Sequence, residues 1–133
     1  MIPPFDAEGF LPPGVHPATL DEIRRHFGGP SEIRRVQMES VSWMLDLARR
    51  AGVTRIVLNG SFVTDRIEPN DVDCVLLIGP GFPADETAAG ELEGGLPFLE
   101  LKLVGQSDFA EYVNDIFGTD RTGRRKGTIE VIP

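Results

Sequence analysis

The chain has 133 residues, 41% of them hydrophobic and 26% charged, which is the composition of a folded domain and not of a disordered segment. Its formal net charge of −8 argues against extensive DNA binding, because proteins that bind nucleic acid by neutralising phosphates are normally basic. No apolar run approaches the roughly 20 residues that span a bilayer, and the single cysteine, Cys74, excludes an intramolecular disulfide. We expect one domain, in the cytoplasm and without a membrane segment.

The N-terminal third predicts an extended arm followed by two helices. Residues 1–18 are rich in proline and glycine, which disfavours a helix and predicts an arm packed on the domain. Thr19 and Glu22 have capping-box spacing, so a short helix is expected to begin there and to end at the Gly-Gly-Pro of residues 28–30. Ser31 can cap a longer helix that extends to about residue 50, with apolar residues at helical spacing: Ile33, Val36, Val41, Trp43, Met44, Leu45, Leu47 and Ala48.

Strands and helices alternate in the rest of the chain, which predicts an α/β (α+β) domain. Residues 79–95 contain glycine, alanine and acids with few apolar anchors, and are predicted to be a flexible connector. A polar, basic turn is expected over 119–127, and its basic residues are Arg121, Arg124, Arg125 and Lys126. The pattern predicts strands over 55–58, 71–78, 96–104 and 128–132, and a third helix that begins after a Ser107 cap and ends at Gly118.

The pattern most indicative of chemistry is Gly60-Ser61, followed after nine residues by Asp71-Val72-Asp73. Strand alternation directs the two aspartates to one face, with their Cα atoms roughly 7 Å apart. Two such carboxylates repel each other unless one is protonated or a cation lies between them. Gly60 lets the backbone approach a phosphate, and Ser61 adds a hydroxyl. The structural alternative is a turn that leads into an ordinary strand.

Glu100 is the candidate for a third carboxylate. It is an acid in an otherwise apolar strand, where Phe98, Glu100 and Lys102 share one face, and an acid is seldom buried there without a partner. It could contact a metal ion and accept a proton from an attacking hydroxyl. Alternatively, an edge strand could display Glu100 and Lys102 to water.

The Gly60-Ser61 and Asp71-Val72-Asp73 pattern resembles the signature of the polymerase-β-like nucleotidyltransferase superfamily. The whole chain also resembles short prokaryotic proteins of unassigned function, through the segments Pro3–Thr19 and Thr119–Gly127. The resemblance implies a minimal nucleotidyltransferase fold, a small mixed β-sheet packed with about three helices.

The resemblance further implies transfer of a nucleoside monophosphate from a nucleoside triphosphate to a protein or RNA hydroxyl, dependent on Mg²⁺ or Mn²⁺. Asp71, Asp73 and Glu100 would be the catalytic metal ligands, and Gly60 and Ser61 would bind phosphate. The superfamily's arginine after Gly-Ser-Phe is absent here, and Arg66 lies close enough in sequence to replace it. Short members often belong to toxin–antitoxin or defence pairs, which implies a protein partner.

Two alternatives to an enzyme remain at this stage. The first is a catalytically silent nucleotidyltransferase-like module that binds a nucleotide or a protein. The second is an acidic interaction domain of a different fold, which would contain little strand.

Overall fold

The computed structural model describes residues 2–116 and 126–132. Within these ranges the chain forms four α-helices and a five-stranded sheet. The helices are α1 (Leu20–Phe27), α2 (Glu32–Ala51), α3 (Glu86–Glu93) and α4 (Gln106–Glu111), the last continued by a π-helical segment, Tyr112–Ile116. The strands are β1 (Gly14–Thr19), β2 (Arg55–Asn59), β3 (Val72–Leu77), β4 (Leu99–Val104) and β5 (Gly127–Ile132).

The sheet is mixed, which confirms the predicted fold class. Its strand order is β1-β5-β2-β3-β4. The outer pairs β1/β5 and β3/β4 are parallel, whereas β2 runs antiparallel to both of its neighbours. Among the described residues, no helix is long and apolar enough to cross a membrane.

The first two helices begin and end where the sequence indicates. Thr19 and Glu22 form the full capping box at the start of α1. The hydroxyl of Ser31 accepts a hydrogen bond from the N–H of Arg34 at the start of α2, and Gly52 ends α2 in the left-handed conformation with φ of 91°.

The two faces of the sheet differ in what covers them. One face packs on α1, α2 and α3 through the main core, which contains Cys74. Burial there raises the pKa of the Cys74 thiol. On the other face, Phe109 of α4 and Val113 of the π-helical segment cover Val57, Val75 and Leu77. Polar residues occupy the remaining end of this second face, which is where the candidate site lies.

The N-terminal arm packs on the domain as predicted, with Leu11 buried and Phe5 in ring contact with Phe27. Its last residues, however, form strand β1 at the edge of the sheet, whereas the sequence predicted an extended arm without a strand. Val15 and Ala18 pair with β5 in parallel register. The proline at position 17 is compatible with a strand because an edge strand needs N–H donors on one side only.

Three further predictions are corrected. The connector over 79–95 contains helix α3, which Asp85 caps and which buries Ala88, Ala89 and Leu92 in the core. These small residues gave little apolar periodicity, so the helix was not recognised. Trp43 is 48% exposed and does not pack in the core. Helix α4 is capped at Gly105, two residues before the predicted Ser107, and residues 117–125 of the predicted helix end and basic turn lie outside the described residues.

Candidate functional site

A glycine turn follows β2 and lies against an aspartate of the next strand. Gly60 has φ of 88° and ψ of −169°, a conformation that is essentially restricted to glycine. A Cβ atom at this position would lie only 2.8 Å from Oδ2 of Asp73. The absence of a side chain at Gly60 therefore lets the Asp73 carboxyl group lie directly against the turn.

Asp73 also faces Glu100, its partner in the parallel register of β3 and β4. Burial raises the pKa of Asp73 to about 6, and the charge of Glu100 and a hydrogen bond with it contribute further to the rise. Lys126 acts in the opposite direction, because a positive charge favours the carboxylate. The structure thus brings together Gly60, Asp73 and Glu100, as the sequence predicts, and adds Lys126, which directly precedes β5.

Asp71 lies just before β3 and is exposed. Its charge contributes the smallest of the effects that raise the pKa of Asp73, so it lies near the Asp73–Glu100 pair without joining it. In the part of the chain that the structure describes, no three His, Cys, Asp or Glu side chains are grouped closely enough to hold a metal ion. The predicted three-carboxylate cluster is therefore represented by a close pair with a third carboxylate nearby.

Ser61 and Arg66 contribute to the loop between β2 and β3. Ser61 begins a short 3₁₀ turn, Ser61–Val63, and its hydroxyl oxygen accepts a hydrogen bond from the N–H of Asn70 at 2.7 Å. Arg66 is exposed, and its backbone carbonyl accepts hydrogen bonds from Arg34. The observed contacts of both residues shape the loop. Their predicted contact with phosphate stays a prediction.

Two side chains of α2 that the sequence analysis did not select hold this loop in place. Arg34 is 4% exposed, and its guanidinium donates to the carbonyls of Phe62, Thr64 and Arg66, and to that of Phe27 in α1. Gln37 donates to the carbonyls of residues 69 and 70, just before Asp71. Helix α2 therefore supplies the donors for a loop whose carbonyls have no strand partner.

The arm holds the same loop from the other side. The N–H of Asp65 donates to the carbonyl of Gly9 at 3.0 Å, and Phe10 and Thr64 form an antiparallel bridge. The turn that carries Gly60 is consequently fixed between α2 and the arm.

Residues 3–132 match a family of unknown function, DUF6932. The chain is a member of DUF6932. The match covers almost the entire chain, including the two terminal segments that the sequence analysis singled out. Comparisons with curated proteins and with solved structures found no match. For this DUF6932 member, a function must therefore be argued from the chemistry of the site.

We expect Gly60→Ala to lower the free energy of unfolding of this DUF6932 member by about 2–3 kcal/mol. Alanine would be strained at the φ of 88°, and its Cβ atom would collide with the Asp73 carboxyl group. Urea denaturation measures the loss. Gly95→Ala is the matched control, because Gly95 has nearly the same φ, 87°, with open space around it. Equal losses of unfolding free energy in the two variants would show that the contact between Asp73 and position 60 does not add to the cost of the substitution.

Proposed function

We propose that this protein is a nucleotidyltransferase that depends on Mg²⁺ or Mn²⁺ and transfers a nucleoside monophosphate from a nucleoside triphosphate to a hydroxyl of a protein or RNA. The observation that carries the proposal is the placement of the Asp73 carboxyl group against the Gly60 turn, with Glu100 paired to Asp73 on the neighbouring strand. A pair of acids beside a turn without a side chain offers oxygen ligands for a cation and backbone for a phosphate at the same point.

The residues fit a hard divalent cation. Asp73 and Glu100 are paired in the register of β3 and β4, and the charge of Glu100 contributes to the raised pKa of Asp73, so a proton on Asp73 relieves their repulsion when no cation is present. A divalent cation can replace that proton. Mg²⁺ is commonly held by one or two carboxylates together with substrate phosphates, so a close pair with Asp71 nearby is a suitable ligand set.

The proposed reaction assigns a task to each group. The cation, when bound, would stabilise the charge that develops on the phosphates. The acceptor oxygen attacks the α-phosphorus, the bond from that phosphorus to the bridging oxygen of the β-phosphate breaks, and pyrophosphate leaves. Glu100 is 61% exposed at its side chain, and its carboxylate accepts the proton of the attacking hydroxyl.

A basic residue near the acids supports a triphosphate as the substrate. Lys126 lies close enough to Asp73 to oppose the rise in its pKa. Its ammonium group carries a charge that suits phosphate oxygens. Arg66 is assigned the same role from sequence position. The acceptor is assigned by resemblance alone, as is membership of a toxin–antitoxin or defence pair.

Thermal unfolding with Mg²⁺ or Mn²⁺ and each of the four nucleoside triphosphates tests the proposal. We expect one nucleotide to raise the melting temperature only when metal is present, because a ligand of the native state adds about 2.7 kcal/mol at 100 times its Kd. Glu100→Gln should then lower the rate of label transfer from the α-labelled nucleotide far more than it lowers nucleotide binding. A catalytically silent module would show the stabilisation without any transfer, and no stabilisation by any pair would refute the proposed site.

A further inference from the structure

Two polar side chains continue the row of acids across the sheet. Asn59 is the partner of Asp73 in the antiparallel register of β2 and β3. The register of β2 and β5, continued by one residue, places Thr128 opposite Asn59. Paired residues of neighbouring strands share a face, so Thr128, Asn59, Asp73 and Glu100 form one polar row across four strands.

Asn59 and Thr128 each hold a buried oxygen that lacks a hydrogen bond. Asn59 is 5% exposed and Thr128 is 1% exposed. Within the part of the chain that the structure describes, Oδ1 of Asn59 and Oγ1 of Thr128 have no hydrogen-bond partner. Because buried polar groups are nearly always paired with protein or water, two adjacent exceptions beside Asp73 indicate a missing donor at this place.

We propose that Asn59 and Thr128 bind a water molecule of the hydrated cation whose direct ligand is Asp73. This inference rests on the proposed function. Mg²⁺ releases its waters reluctantly and usually keeps several, and such a water has both hydrogens free to donate. An amide oxygen and a hydroxyl oxygen are suitable acceptors. One bound water donating to both oxygens would satisfy both.

The spacing of the strands favours an indirect contact over a direct one. Neighbouring strands are about 4.8 Å apart, so Asn59 lies one strand and Thr128 two strands from Asp73. A path from an Asp73 oxygen through the cation and its water to a second oxygen contains two metal–oxygen bonds of about 2.1 Å and a hydrogen bond of about 2.8 Å. This path of about 7 Å lies between one and two strand spacings. Asn59 and Thr128 would thus be positioning residues, which orient the hydration shell and with it the cation.

Titration with Mn²⁺ alone tests this role without measuring activity. Binding is monitored by calorimetry and by the electron paramagnetic resonance signal of the free ion. We expect Asn59→Leu and Thr128→Val each to weaken Mn²⁺ binding about tenfold, which is the usual effect of losing an outer ligand of a metal site. Without metal, both variants should melt at or above the wild-type temperature, because each removes an unpaired buried acceptor.

Two controls keep the test decisive. Thr54→Val changes a hydroxyl that donates to the carbonyl of Leu77 at the other end of β2, and it should leave Mn²⁺ affinity unchanged. Thr128→Ser keeps the hydroxyl and should restore wild-type affinity. If wild type binds Mn²⁺ and Thr128→Val binds it equally well, the inference is wrong while the proposed function stands. If wild type binds no Mn²⁺ in the absence of nucleotide, the inference is wrong, and the proposed function is then decided by the metal-dependent stabilisation by nucleotide.

Discussion

Asp73→Asn is expected to make the metal-free protein more stable at pH 8, by about 1–2 kcal/mol after allowance for solvent screening of a half-buried group. The pKa of Asp73 rises from 3.8 to about 6 in the folded state, chiefly through burial. The folded protein therefore binds this proton more tightly than the unfolded chain does. The contribution of the Asp73 carboxyl group to the free energy of unfolding is therefore greatest below pH 4, and it is lost as the pH rises through about 6. Asparagine removes that loss because it carries no charge.

Melting temperatures across pH 4–8 in a metal-chelating buffer measure this effect. At pH 8 the variant should melt roughly 4–8 °C above wild type, and the two curves should converge near pH 4. Asp71→Asn is the control, because Asp71 is exposed and its charge is the smallest influence on Asp73; we expect its metal-free melting temperature to stay close to that of wild type. A wild-type advantage at pH 8 would contradict the unfavourable burial of Asp73.

The same variant should lose its response to metal. If a divalent cation competes with the proton on Asp73, whose pKa is raised to about 6, Mg²⁺ will stabilise wild type most at pH 8 and little at pH 5. Asp73→Asn should show no stabilisation by Mg²⁺ at either pH. A variant that gains metal-free stability and loses its response to metal is characteristic of a metal-binding carboxylate. Removal of a carboxylate that stabilises the fold would instead destabilise the protein at both pH values.

Helix caps and strand alternation were predicted correctly because each depends on a few neighbouring residues. The capping box of Thr19 and Glu22, the αL position of Gly52 and the alternation of Glu100 with its leucine neighbours are each decided within a few residues. Motif spacing combined with strand alternation selected Gly60 and Asp73 for one candidate site, and the two residues do lie together. Predictions of this kind succeed because the physical cause and the sequence pattern lie on the same short segment.

The missed features depend on contacts between distant segments. Arg34 and Gln37 interrupt the apolar pattern of α2, and nothing near them in sequence shows that their partners are carbonyls some 30 residues away. Strand β1 exists because β5, from the other end of the chain, provides a parallel partner. The register of β2 and β5, which places Thr128 opposite Asn59 when continued by one residue, likewise joins segments far apart in sequence. The sequence offered one signal of these contacts, which is that Arg34 is a charged residue on the buried side of α2.

Arg34 matters to the site because it fixes the loop that carries Gly60 at one end and Asp71 at the other. Its guanidinium supplies five hydrogen bonds to four carbonyls, and it also lies 5.4 Å from the centre of the Phe62 ring. A planar group with five donors suits such a set of acceptors, and an ammonium group with three donors in another geometry cannot replace it. Arg34 therefore connects the carbonyls of the loop to helix α2 through a single side chain.

We expect Arg34→Met to lower the free energy of unfolding by about 3–5 kcal/mol, because it leaves several buried carbonyls without donors while nearly preserving side-chain volume. Urea denaturation measures the loss, and Arg34→Lys should give an intermediate value. Arg35→Met is the matched control: Arg35 is exposed and donates to the carbonyl of Pro30, so its replacement should change stability by no more than about 0.5 kcal/mol. Where Arg34→Lys remains folded, its Mn²⁺ affinity should fall with its stability, since the loop positions the glycine turn against Asp73. Unchanged stability in Arg34→Met would show that water replaces the guanidinium and that α2 does not hold the loop in place.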